Sequence, residues 1–80
     1  ISILIVDNDE INLQLLMLKL KRYNIQVDTS ISEKEAIQKV KNNDYNLIMI
    51  DGYAIASKIR RLDGVKKIPI IALCADSFQE

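Results

Sequence analysis

Eighty residues, 49% apolar and 28% charged, suffice for one small domain with a modest core and exclude a disordered chain. Eleven Lys and Arg balance eleven Asp and Glu, so there is no broad basic footprint for nucleic acid or a membrane surface. With no His and one Cys, neither His-based catalysis, nor a structural zinc site, nor an internal disulfide is expected. The lone Cys fits a reducing compartment. No apolar run approaches the roughly 20 residues of a membrane span, and no signal peptide is visible. The first residue is Ile1 rather than Met, so a piece of a longer protein is expected.

The elements alternate along the chain. Ile3-Leu4-Ile5-Val6 is a continuous apolar run, the pattern of a strand buried on both faces. Asp7-Asn8-Asp9 follows, with Asn8 or Asp9 able to cap a helix. From Glu10 to Arg22 a helix is predicted, its buried stripe formed by Ile11, Leu15 and Leu18 and widened by Leu16 and Leu20. Lys19, Lys21 and Arg22 suit its last turns, and Asn24 stops it. Ile25, Val27 and Thr29 alternate with polar residues, which predicts a strand with one wetter side at a sheet edge. Ser32 to Glu35, "SEKE", is a capping box. The helix it opens buries Ala36, Ile37 and Val40 and ends near Asn42-Asn43. Leu47-Ile48-Met49-Ile50 reads as another buried strand. After Asp51-Gly52 comes a helix over Tyr53 to Leu62, with Ile55, Ile59 and Leu62 on one face and Gly64 as its stop. Ile68 to Leu73 reads as a fourth strand, with Pro69 near its start where a missing N–H is tolerated. Asp76-Ser77 offers a cap for a further helix.

This order, β-α-β-α-β-α-β, predicts a parallel sheet with helices on both faces. Such sheets bind ligands beyond the carboxyl ends of their strands. Asp7, Asn8 and Asp9 follow the first strand, Asp51 the third, and Cys74 and Asp76 the fourth. Hard oxygens gathered at one edge suit Mg²⁺. No Gly-rich phosphate loop follows any strand, since Gly52 and Gly64 are the only glycines, which argues against an unrelated nucleotide-binding module.

"ILIVDNDEIN" (3–12), "NLIMID" (46–51), "DGYAIASKIRRL" (51–62) and "IPIIALCADSFQE" (68–80) together resemble the receiver domain of two-component response regulators. The run near Asn12 is most similar to receivers attached to hybrid sensor histidine kinases. The resemblance spans the whole chain, in order. It implies a flavodoxin-like, doubly wound α/β sheet that here lacks the fifth strand, its Lys and the last helix. It also implies a cytoplasmic phosphoacceptor rather than a turnover enzyme. A histidine kinase or histidine phosphotransfer protein would supply the phosphoryl group. Asp51 would accept it, with Mg²⁺ held by Asp7, Asn8 and Asp51. No nucleic acid or membrane contact is expected of the domain, and a homodimer is open to it.

Departures from the family pattern raise a rival reading, a degenerate receiver that acts by protein–protein contact alone. Asn8 stands where a second acid is usual. Cys74 stands where Thr or Ser usually meets the phosphoryl group, and a thiol is a weaker donor. A loop and a second Asp normally separate the phosphoacceptor from the Asp-Gly that opens the next helix. Asp51 is therefore either the acceptor or that second Asp, and a segment omitted between Asp51 and Gly52 is expected. Without the resemblance, Asp7 reads equally well as a helix cap, Asn8 at least as well, and Asp9 better as a cap or a solvent-facing residue. Cys74 reads as a small buried residue. Lys58, Arg60, Arg61, Lys66 and Lys67 read as a solvated face. Tyr53, Met17 and the Leu13-Leu16-Leu20 stripe read as packing.

Overall fold

A computed structural model of the chain describes residues 1–62 and 67–73. The elements are β1 (Ser2–Val6), α1 (Glu10–Lys21), β2 (Gln26–Ser30), α2 (Glu33–Asn42), β3 (Leu47–Asp51), α3 (Tyr53–Arg60) and β4 (Ile70–Leu73). The four strands form one parallel sheet in the order β2-β1-β3-β4. This is the layered α/β arrangement that the alternating pattern predicts. Gly64, Cys74, Asp76 and Ser77 lie outside the described residues.

Burial of β1 explains its unbroken apolar run. Leu4 and Val6 join Ala36 and Val40 of α2, Ile48 and Ile50 of β3 and Ile59 of α3 in one core. Ile3 and Ile5 face the other way and pack with Leu13 of α1. A strand with helices on both faces has no wet side on which to alternate.

The stripe predicted to bury α1 is corrected by the structure. Ile11, Leu15 and Leu18 are 70%, 53% and 68% exposed. The sheet instead takes Leu13, with Leu16 and Leu20 packed around it. The reason is that α1 is apolar on two stripes, and periodicity alone cannot say which one meets the sheet. Its ends are as read. Asp9 caps the N-terminus, its Oδ1 accepting from the Ile11 and Asn12 amides at 3.0 and 3.4 Å. Asn24 turns the chain at φ 58°, a left-handed conformation Asn tolerates better than most residues.

At the sheet edge, β2 is less wet than its alternation suggests. The Tyr45 hydroxyl donates to Asp28 Oδ2 at 2.7 Å, and Tyr45 is buried. Burial first, and then the Asp28 carboxylate, push the Tyr45 phenol far above its ordinary value, so it stays a neutral donor. Tyr45→Phe should lower stability by about 2 kcal/mol in urea unfolding, the usual worth of a hydrogen bond to a charged group. A change near zero would mean that water replaces the phenol. Lys39 Nζ donates to the Thr29 carbonyl from α2.

The capping box of α2 forms with a shifted return arm. Ser32 Oγ accepts from the Glu35 amide at 3.1 Å, but Glu35 Oε1 accepts from Ile31 N–H at 3.3 Å rather than from Ser32. The last strand begins at Ile70, two residues later than the apolar run. The Pro69 carbonyl still accepts from Ile48 N–H at 3.0 Å, so proline's missing donor interrupts nothing.

Between β3 and α3 stands Gly52 alone, at φ 127° and ψ 132°. No atom lies within 4 Å of a Cβ built there, so the requirement for glycine is one of backbone conformation, not space. Through this direct bond Gly52→Ala should cost about 1–3 kcal/mol. A loss well below that range would point to a longer loop at this join, where the sequence pattern expects one.

Candidate functional site

In the order β2-β1-β3-β4, successive crossovers leave β1 on opposite sides, so the switch point lies between β1 and β3. Asp7 follows the last residue of β1, and Asp51 is the last residue of β3. Register brings them level, since Val6 pairs with Ile50. Asp7 N–H donates to the Ser30 carbonyl at 3.0 Å, which carries the β1–β2 ladder one step further and fixes the Asp7 backbone. A cleft of about 310 Å³ opens here, lined by Asp7, Asn8, Asp51, Ser32, Glu33 and Ile55. The sequence reading had not included Ser32 and Glu33. The capping box marks the start of α2, but only the topology brings that helix end to the edge.

The predicted acids differ in setting. Asp7 is buried at 4% exposure, whereas Asp51 and Asn8 are exposed. Asp7 Oδ1 accepts from Asp9 N–H at 3.0 Å, and Oδ2 accepts from the Asn12 side-chain amide at 2.5 Å. Asn12 was not predicted as a site residue. Its position in the first turn of α1, directly after an acidic turn, is the only sequence signal for it. Asp9 is spent on the α1 cap. Glu33 is paired with Lys58 at 2.8 Å.

Asp51 carries the perturbed carboxyl of the cleft. Partial loss of solvent raises it above the ordinary carboxylate value, followed by the Asp7 charge, a hydrogen bond with the Asp7 side chain and the Asp9 charge. Two facing carboxylates, one of them resisting ionisation, form a site short of positive charge. Among the described residues no three His, Cys, Asp or Glu side chains converge. Mg²⁺ fits such a donor set, because it needs only one or two carboxylates and keeps several waters or phosphate oxygens. Asn8 adds a side-chain carbonyl oxygen at the same edge.

The fold and this edge define a flavodoxin-like α/β domain with an acid pair at its switch point. Comparison with known proteins gives the class a family. The response regulator receiver domain family matches residues 3–80, and the chain belongs to it. The response regulator SSK1 of Verticillium dahliae is 30% identical over 94% of this chain, which spans 10% of that protein. The hybrid signal transduction histidine kinase L of Dictyostelium discoideum is 29% identical over 99% of this chain and 5% of its own length. That alignment runs over 92 positions, so the relative carries segments with no counterpart in these 80 residues. The response regulator TrrA of Thermotoga maritima superposes with a TM-score of 0.81 at 28% identity, over 92% of this chain. It has been solved in complex with Mg²⁺-BeF, where the match spans 69% of its chain, and with the histidine kinase ThkA, where it spans 68%. No helix among the described residues is long and apolar enough to cross a membrane.

Proposed function

We propose that the domain takes a phosphoryl group from a phosphohistidine onto Asp51, in the cytoplasm, as one step of a two-component relay. The observation that carries this reading is the exposed Asp51 carboxyl at the end of β3, level with the buried Asp7 across the switch point. Asp7, Asn8 and Asp51 would hold Mg²⁺, and by the family pattern Cys74 would stand where the hydroxyl donor is usual. The bound cation would screen the carboxylates against the incoming phosphoryl oxygens.

The step is balanced. An Asp51 oxygen forms the bond to phosphorus as the phosphorus–nitrogen bond of the donor breaks. The donor's imidazole, protonated on its other ring nitrogen, leaves with the bonding pair as neutral imidazole. Asp51 must be ionised to attack, and a divalent cation beside it would favour that form against the neighbouring Asp7 charge. Asp7 stays fixed throughout by the hydrogen bonds from Asp9 and Asn12 and supplies negative charge at the metal end of the cleft. Most of what phosphoryl transfer asks of a protein is this kind of positioning and charge balance.

The donor is a histidine kinase or a histidine phosphotransfer protein. TrrA's complex with ThkA supports this, and so does the apolar outer stripe of α1, which begins beside the site. The test is intact mass of the whole chain after incubation with Mg²⁺ and a small acyl phosphate, followed by peptide mapping. One phosphoryl group on Asp51 is expected. A folded chain that takes none would favour the degenerate receiver, which Asn8, Cys74 and the short join after Asp51 motivate.

A further inference from the structure

Asp7 is the one buried carboxylate among the described residues. Its hydrogen bond from Asp9 N–H is a local turn of the chain, and an aspartate at a helix entry readily makes it. The bond from Asn12 is of a different kind. It runs side chain to side chain, from the first turn of α1 back to the end of β1. Nothing in the helix needs it, because Asp9 already caps α1. Asn12 is otherwise exposed.

We infer that Asn12 is a positioning residue of this site: its amide clamps Asp7 Oδ2, so that the remaining acceptor positions of Asp7 face Asp51 and a divalent cation. The inference rests on the phosphoacceptor reading above. A carboxylate offers about four lone-pair positions. Asp9 and Asn12 fill one on each oxygen, which fixes the plane of the group. Released from the clamp, Asp7 would turn away from Asp51, because the two charges repel. A neutral donor is well suited to hold it. An amide steadies the carboxylate without cancelling its charge, whereas Lys or Arg at the same place would compete with the cation for Asp7. The clamp matters more here because Asn8 supplies no second charge after β1.

Calorimetric titration of Mg²⁺ into the intact chain tests this on wild type, Asn12→Ala, Asn12→Ser and Asn12→Gln. Neither Ala nor Ser can reach Asp7, and both should weaken Mg²⁺ binding about tenfold or more, as loss of a ligand's supporting hydrogen bond typically does. Gln keeps the donor on a longer stem and should recover part of the loss. At saturating Mg²⁺ the Ala and Ser variants should regain most of the phosphorylation rate. Without Mg²⁺ the Ala variant should unfold at a somewhat lower temperature than wild type, because the buried Asp7 carboxylate loses a donor and the helix preference of Ala offsets that only in part. A merely structural Asn12 would give the same fall in temperature and leave Mg²⁺ affinity unmoved. Wild-type binding with all three variants within about twofold of it overturns the inference alone. Wild type that binds no Mg²⁺ overturns the phosphoacceptor reading, and this inference with it.

Discussion

Asp51→Asn protein, incubated with Mg²⁺ and a small acyl phosphate, should keep its unmodified mass while wild type gains one phosphoryl group. An amide has no carboxylate to attack phosphorus, so the loss should be complete rather than partial. An adduct that survives would move the acceptor to another residue, with Asp7 and Asp9 next to be mapped. The same substitution should raise the thermal midpoint of the metal-free protein at neutral pH. The sign follows from linkage. Folding raises the Asp51 pKa, so the folded state binds more protons than the unfolded chain between the unfolded and folded values. The contribution of Asp51 to stability is therefore fully present below its unfolded pKa and lost as pH rises through the folded one. Above that window wild type bears the repulsion between Asp51 and Asp7, and Asn at 51 does not. Mg²⁺ should raise the midpoint of wild type further, through binding to the folded state alone, and that of Asp51→Asn less. Thermal unfolding with and without Mg²⁺ reads both effects. A lower midpoint for metal-free Asp51→Asn would show that Asp51 makes a stabilising contact which outweighs the repulsion.

How much of this was legible in the sequence depends on what each residue answers to. β1 and β3 were readable because burial on both faces leaves an unbroken apolar run, and α2 because Ser32 and Glu35 spell its start. Asp7, Asn8 and Asp51 were readable as candidates because a parallel sheet must gather its strand ends at one edge. The buried stripe of α1 was readable only in part, since Leu13, Leu16 and Leu20 read as packing but Ile11, Leu15 and Leu18 did too. Ile11, Leu15 and Leu18 satisfy helical spacing as well as Leu13, Leu16 and Leu20 do, and only the sheet decides between them. Asn12 was missed for a related reason. Its partner lies five residues back on a strand end, a spacing that no helix or strand period picks out. Asp28 looked like the solvent side of an edge strand because Tyr45, which covers it, is seventeen residues away.

The misread stripe leads to the second large effect. Ile11, Leu15 and Leu18 form an exposed apolar row that starts two residues after the Asp9 cap and runs for about 10 Å along α1. Leu18 continues into a shallow groove with Met17, Ile25 and Val27. An apolar row is costly to leave in water, and a protein that delivers a phosphohistidine to Asp51 must cover the surface next to that edge. Its contact with this row would be ordered by apolar burial rather than charge, which agrees with the zero net charge of the chain. The double variant Leu15→Asp, Leu18→Glu should therefore slow phosphotransfer from the cognate histidine kinase or phosphotransfer protein by more than about tenfold, as loss of central apolar contacts does. Labelling by a small acyl phosphate should stay near wild type, because neither residue touches the cleft. Stability should shift by no more than about 0.5 kcal/mol, since both side chains are exposed. The two donors separate the explanations. Slowing of both would mean that the substitutions disturb α1 and, through Asn12, the site itself. Slowing of neither would place the docking surface elsewhere and leave the apolar row without a role in transfer.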